Sequence, residues 1–61
     1  MYTKDQIEEI ANSIVSDFIP KDPEEVALTF NFTIPPNKNF KVWYSKDERG
    51  LWKFIDYEWL V

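Results

Sequence analysis

The fold of this chain is decided by VALTFNFTI, residues 26–34, in which apolar and polar side chains alternate strictly. One face of the stretch carries only apolar side chains, those of Val26, Leu28, Phe30, Phe32 and Ile34. Alternation of this kind indicates a strand of an antiparallel sheet that buries one face. Pro35 and Pro36 follow and cannot join a strand ladder, so the strand is expected to end at Ile34.

The segment before this strand has the pattern of an amphipathic helix. Thr3 and Gln6 have the spacing of a capping box, and Tyr2 and Ile7 can pack across the start of the helix. Apolar residues then recur at helical spacing, at Ile7, Ile10, Ala11, Ile14, Val15 and Phe18. We predict a helix from about Lys4 to Phe18, because Pro20 disfavours helical geometry in the residue before it.

The C-terminal third of the chain has the pattern of a β-hairpin. Residues 40–45 and 51–59 are rich in aromatic and β-branched side chains and are predicted to be strands. The connection between them contains the only glycine, Gly50, where a hairpin loop needs a left-handed backbone. An alternative for residues 53–60 is a short helix, because Trp52, Ile55 and Trp59 also have helical spacing.

Two registers are open for this hairpin. A four-residue loop places Lys41 opposite Asp56 and Trp43 opposite Phe54. A three-residue loop with a bulge slides the strands by one residue and places Val42 opposite Asp56. We expect the first register, because it keeps carboxylates off the apolar face and gives Lys41 an opposite charge across the strands.

Together these segments predict an α+β fold, with one N-terminal amphipathic helix packed on a three-stranded antiparallel β-meander. The 61 residues are expected to form a single small domain, residues 1–61. Hydrophobic residues make up 44% and aromatic residues 18% of the chain, which is far from the composition of disordered proteins. A core of this size supplies only about 3 to 5 kcal/mol of net stability.

Composition excludes most catalytic chemistry. The chain has no His and no Cys, so it has no thiol nucleophile, disulfide, thiolate zinc site or histidine acid–base pair. The adjacent carboxylates Glu24-Glu25 and Asp47-Glu48 lie in predicted turns, which seldom provide the cleft that acid–base catalysis needs. We therefore expect no enzyme activity, no catalytic residues, no cofactor and no metal.

The formal charge of −4 conceals a dipolar distribution. Residues 1–25 carry two Lys against seven Asp and Glu, whereas residues 38–53 carry five basic and two acidic residues. No apolar run reaches the length of a signal peptide or a membrane span. We expect a cytoplasmic protein without a membrane partner, since a small domain without disulfides suits that compartment.

The preferred register leaves Trp43, Trp52 and Phe54 on the uncovered face of the sheet, beside Lys41 and Lys53. An exposed aromatic cluster on a small domain usually marks an interface. We therefore expect these five residues to bind a protein partner or a second copy of the chain. The function would be that of a small acidic regulator or inhibitor, of the kind encoded by phages and mobile elements.

Three alternatives to this aromatic interface are open. Another register would put the same aromatic residues in the core, and the C-terminal tail could cover them. A different class of function is single-stranded nucleic-acid binding, in which bases stack on the aromatic rings beside lysines. The surrounding acidic residues disfavour nucleic acid as the partner.

Overall fold

The computed structural model describes residues 2–60. Helix α1 spans Lys4–Ile14 and is followed by a short 3-10 helix over Val15–Asp17. Three strands form one antiparallel sheet in chain order: β1 (Ala27–Ile34), β2 (Lys38–Lys46) and β3 (Trp52–Leu60). The predicted α+β fold, one N-terminal helix packed on a three-stranded meander, is confirmed. The alternative of a helix over residues 53–60 is wrong.

The capping box at the start of α1 is present as predicted. Thr3 Oγ1 accepts a hydrogen bond from the Gln6 backbone N–H at 3.2 Å, and Gln6 Oε1 accepts one from the Thr3 N–H at 2.9 Å. The α-helix ends at Ile14, four residues before the predicted end. Ser13 Oγ donates to the Ile10 carbonyl at 2.6 Å, and Ile14 and Val15 are both β-branched, so this end of the segment is a poor helix former.

The core lies between α1 and the sheet. Its buried side chains alternate along β1 and β2 as the sequence predicts, and comprise Ile7, Ala11, Leu28, Phe30, Phe40, Val42 and Tyr44. The Tyr44 hydroxyl donates to Asn12 Oδ1 at 2.5 Å, which ties the central strand to the helix. Phe18, expected in the core, is 44% exposed and stacks flat on Phe30 with 4.3 Å between ring centroids.

The hairpin between β2 and β3 has a three-residue loop. The Asp47 N–H donates to the Leu51 carbonyl at 2.9 Å, and Asp47 Oδ1 accepts from the backbone N–H groups of Arg49 and Leu51. Gly50 has φ +81°, the left-handed conformation predicted for it. A turn followed by a left-handed glycine is a common three-residue hairpin connection.

The preferred register of this hairpin is wrong. The observed pairs nearest the loop are Lys46 with Trp52 and Tyr44 with Phe54, which is the alternative, slipped register. A bulge then shifts the pairing by one further residue, so that Trp43 pairs with Asp56 rather than with Phe54. Lys41 is predicted to lie opposite Asp56, but it pairs with Glu58 instead.

Ile55 is the extra residue of this bulge. Before it, Trp52 and Phe54 face α1, and after it Tyr57 faces α1 opposite Val42. A regular strand would have carried Asp56 to the apolar face, since side chains alternate with a period of two. The bulge therefore keeps the carboxylates off the core and leaves Ile55 52% exposed.

Candidate functional site

The five residues expected to form one interface are divided between the two faces of the sheet. Trp43 lies on the open face, the face turned away from α1, where its partners are Thr29 and Asp56. Lys41 and Lys53 are on the same face by strand alternation. The other two aromatic residues lie on the face covered by the helix. The predicted patch is therefore not assembled, and the reason is the slipped register near the loop.

Trp52 and Phe54 are half-buried and pack against the core. The Phe54 ring meets the Tyr44 ring edge-on, with 5.6 Å between centroids. Lys46 Nζ lies 5.2 Å from the centroid of the Trp52 ring. These contacts give both residues a structural role, and a binding role for them stays a prediction.

The open face is largely polar. Its one large aromatic side chain between Ala27 and Lys46, Trp43, is half-buried, and Lys41 Nζ lies 5.3 Å from the centroid of its ring. On β3 this face carries Lys53 but also Asp56 and Glu58. A track for single-stranded nucleic acid needs several stacking rings along a positive groove, and this face supplies one ring among balanced charges.

A second group of aromatic residues lies on the face of the sheet that α1 covers, near the start of α1. We call it the aromatic groove; its volume is about 340 Å³, and it is lined by Tyr2, Ile7, Lys38, Phe40, Tyr57 and Trp59. Each pair of lining residues comes from a different part of the chain. Ile7 of α1 and Tyr2, just before it, line one side of the groove. The other side is formed by β2 and β3, where Phe40 pairs with Trp59 and Val42 pairs with Tyr57. The bulge at Ile55 is what brings Tyr57 and Trp59 to this face.

The groove has a buried floor and an exposed wall. Phe40 is 4% exposed and meets the rings of Tyr2 and Tyr57 edge-on, at 6.3 Å between centroids in each case. Trp59 is 47% exposed, and Lys38 Nζ lies 5.2 Å from the centroid of its ring. The groove therefore presents a large apolar ring to solvent with a positive charge beside it.

The hydroxyl of Tyr44 has a displaced pKa. Burial raises the pKa of its hydroxyl to about 12, and the negative charge of Glu8 adds to the effect. The hydroxyl is thus held neutral and serves as a hydrogen-bond donor to Asn12. It is a structural group and contributes no acid or base to the aromatic groove.

The acidic residues of α1 lie along a shallow depression lined by Asp5, Glu8, Glu9 and Asn12. No group of three potential metal-ligating side chains occurs within residues 2–60. In the same part of the chain, no helix combines the length and the apolar character needed to cross a membrane.

Sequence reasoning missed Lys38 and Trp59 as members of one site. The signal was the position of the aromatic residues in β3, which change from even to odd numbers between Phe54 and Tyr57. No protein family model, curated protein or solved structure matches this chain. Function is therefore inferred from the geometry of the chain itself.

Proposed function

We propose that this chain is a small protein-binding domain that receives an apolar side chain of another protein in the aromatic groove. The observation that carries the proposal is Trp59, a tryptophan 47% exposed at the wall of a cavity of about 340 Å³. Tryptophan is enriched among residues that dominate binding energy, and such residues act best beside a pocket that excludes water. Trp59 replaces the predicted trio of Trp43, Trp52 and Phe54 as the anchor.

The groove also has a preference in charge. Lys38 Nζ lies against the Trp59 ring, so a partner that covers this ring also meets an ammonium group. An acidic residue beside the inserted side chain would pair with Lys38, and a basic residue would be repelled. The fitting partner is a segment with one large apolar side chain next to a carboxylate.

A regulator or inhibitor of another protein is the biological role that follows from this proposal. The chain is small, and five of the six residues that line its groove lie in α1, β2 and β3. We keep the cytoplasm as the compartment in which to look for the partner, on the argument from size and lack of cysteine.

The test compares two tryptophans that share a local environment but lie on opposite faces. Trp59 and Trp43 each lie under a lysine ammonium, at 5.2 and 5.3 Å, and each is at least partly exposed. Tagged wild type, Trp59→Ala and Trp43→Ala are used to capture partners from the native host, and affinities are then measured with the captured protein. We expect Trp59→Ala to weaken binding at least about tenfold and Trp43→Ala to leave it unchanged.

The opposite result would move the site to the open face: loss of binding in Trp43→Ala with Trp59→Ala intact contradicts the proposal. Circular dichroism of both variants checks that each is folded. The nucleic-acid alternative is tested on the same samples with single-stranded oligonucleotides. Binding that falls steeply with salt would support that alternative, since phosphate contacts release counterions.

A further inference from the structure

The first strand of the sheet, β1, is an edge strand with an unprotected outer side. It spans Ala27–Ile34 and, among residues 2–60, pairs only with β2. Its eight residues contain no charge, no proline and no glycine, and its ladder with β2 has no bulge. Edge strands of monomeric proteins usually carry such features, because an unblocked edge is a template for pairing with another strand.

The outward groups of β1 can be assigned from the ladder. The Lys46 N–H donates to the Val26 carbonyl at 2.8 Å, so even-numbered residues direct their backbone groups toward β2. The odd-numbered residues therefore direct theirs outward, and all four are exposed: Ala27, Thr29, Asn31 and Thr33. Within residues 2–60, no hydrogen bond reaches the N–H or C=O of these four.

The opposite edge of the sheet, β3, is protected. It contains the bulge at Ile55 and the charged residues Lys53, Asp56 and Glu58. The outward N–H of Tyr57 is already occupied, because it donates to Asp56 Oδ1 at 2.8 Å. The two edges of one small sheet thus differ in charge, in the presence of a bulge and in the occupation of an outward N–H group.

We infer that the β1 edge pairs with the β1 edge of a second copy of this chain, antiparallel and about a two-fold axis, to make a continuous six-stranded sheet. Outward residues must meet outward residues, so odd numbers pair with odd numbers. The alignment that uses all four pairs Ala27 with Thr33 and Thr29 with Asn31 of the other copy, with the axis at Phe30. None of the four outward residues of β1 lines the aromatic groove, although Lys38 of the groove lies close to the end of the paired strands.

Three observations favour a second copy as the occupant. The strand is self-complementary, because its outward residues are all uncharged and no like charges meet across the axis. Phe18 stacks on Phe30 and is 44% exposed, so a second copy at this axis would cover it. The antiparallel arrangement also places Asp22, Glu24 and Glu25 of one copy near the turn at residues 35–38 of the other copy. The only charged residue of that turn is Lys38.

The first measurement uses the unmodified chain. Sedimentation is followed over a concentration series, together with amide hydrogen exchange by NMR. We expect a monomer–dimer equilibrium, and slower exchange at Thr29 and Asn31 as concentration rises. The outward amides of Trp52 and Phe54 on β3 are the internal control and should not change. A monomer at all concentrations up to about 1 mM overturns the inference, and so does a dimer that leaves the β1 amides unprotected.

The second measurement identifies the pairing by charge. One variant carries Thr29→Lys and Asn31→Lys, and the other carries Thr29→Glu and Asn31→Glu. Each variant alone places like charges opposite one another twice, so its dimer should weaken about tenfold or more. Mixing the two should restore the dimer, because each charge then meets its opposite.

The matched control introduces Asn39→Lys or Asn39→Glu, which changes charge on the same open face but on the central strand. These variants should dimerise like the wild type. A mixture of the two double variants that stays monomeric while each is folded overturns the inferred pairing. Trp59→Ala should leave the dimer intact, so failure of this inference and failure of the proposed groove are separate results.

Discussion

Deletion of Ile55 tests whether this residue is the inserted one that lets the aromatic side chains of β3 face α1 both before and after the bulge. Without it the strand becomes W-K-F-D-Y-E-W-L, in which aromatic and charged residues alternate without interruption as far as Trp59. Every aromatic residue of β3 can then face α1 in one regular ladder, and the pairing of Lys41 with Glu58 is kept. We expect the shortened chain to fold.

The magnitude follows from the exposure of Ile55. Complete burial of such a side chain contributes about 1.5 to 3 kcal/mol, and Ile55 is 52% exposed, so its loss removes about 1 kcal/mol. Removal of a bulge offsets part of that loss, because the unpaired residue disappears from the ladder. The free energy of unfolding should therefore fall by no more than about 1 kcal/mol.

Deletion of Glu58 is the matched control, since it also removes one exposed residue from β3. After this deletion no single register keeps both Tyr57 and Trp59 on the helix side, because the two become neighbours in the chain. The loss of a half-buried tryptophan from the groove costs about 2 kcal/mol, a large part of a total near 3 to 5 kcal/mol.

Urea unfolding followed by far-UV circular dichroism measures both deletions. Cross-strand contacts between Lys41 and Glu58 in the NMR spectrum of the Ile55 deletion check the register. Equal destabilisation by the two deletions would refute the assignment of Ile55 as the inserted residue.

Three further predictions concern the cap, the loop and the buried hydroxyl. Thr3→Ala should cost about 1 kcal/mol, because the Gln6 N–H loses its acceptor; an unchanged urea midpoint would contradict this. Gly50→Ala should cost about 1 kcal/mol because φ is +81°, although the new methyl group meets nothing within 4 Å. Gly50→Asn should cost less, since asparagine tolerates this backbone conformation. The pKa of Tyr44 is raised to about 12 in the folded chain. The contribution of its neutral hydroxyl to the free energy of unfolding is therefore complete below pH 10.0 and is lost as the pH rises toward 12. This loss amounts to roughly 3 kcal/mol, and Tyr44→Phe should remove that part of the alkaline pH dependence. Urea midpoints that fall in parallel for both proteins would exclude Tyr44 as the source.

Local patterns were sufficient to predict the elements of the fold. Thr3 and Gln6 specify the helix start through side-chain hydrogen bonds between residues three apart, and no distant part of the chain takes part. Residues 26–34 specify a strand because alternation fixes which face is buried. The single glycine specifies the loop, since φ +81° is strained for other residues.

The register and the site could not be predicted in the same way. The predicted register assumes that β2 and β3 pair without a bulge along β3. Once one residue of β3 is inserted, the sequence is compatible with more than one register. The change in parity between Phe54 and Tyr57 does signal an insertion, and it could have been used. The position of Trp59 beside an open groove depends on where α1 crosses the sheet, which is a property of tertiary packing and leaves no local pattern.

The short connections of the meander have a consequence for the rate of folding. Among the residues that the structure describes, no two paired residues of the sheet are farther apart in the chain than Asn39 and Leu60, 21 positions. Closure of such short loops costs little chain entropy, so the two hairpins can form early and independently of the helix. The docking of α1 closes a longer loop, since Asn12 and Tyr44 are 32 positions apart. We expect Val42→Ala to slow folding, whereas Ile7→Val mainly speeds unfolding, which stopped-flow kinetics can measure; the reverse order would show that the helix docks first.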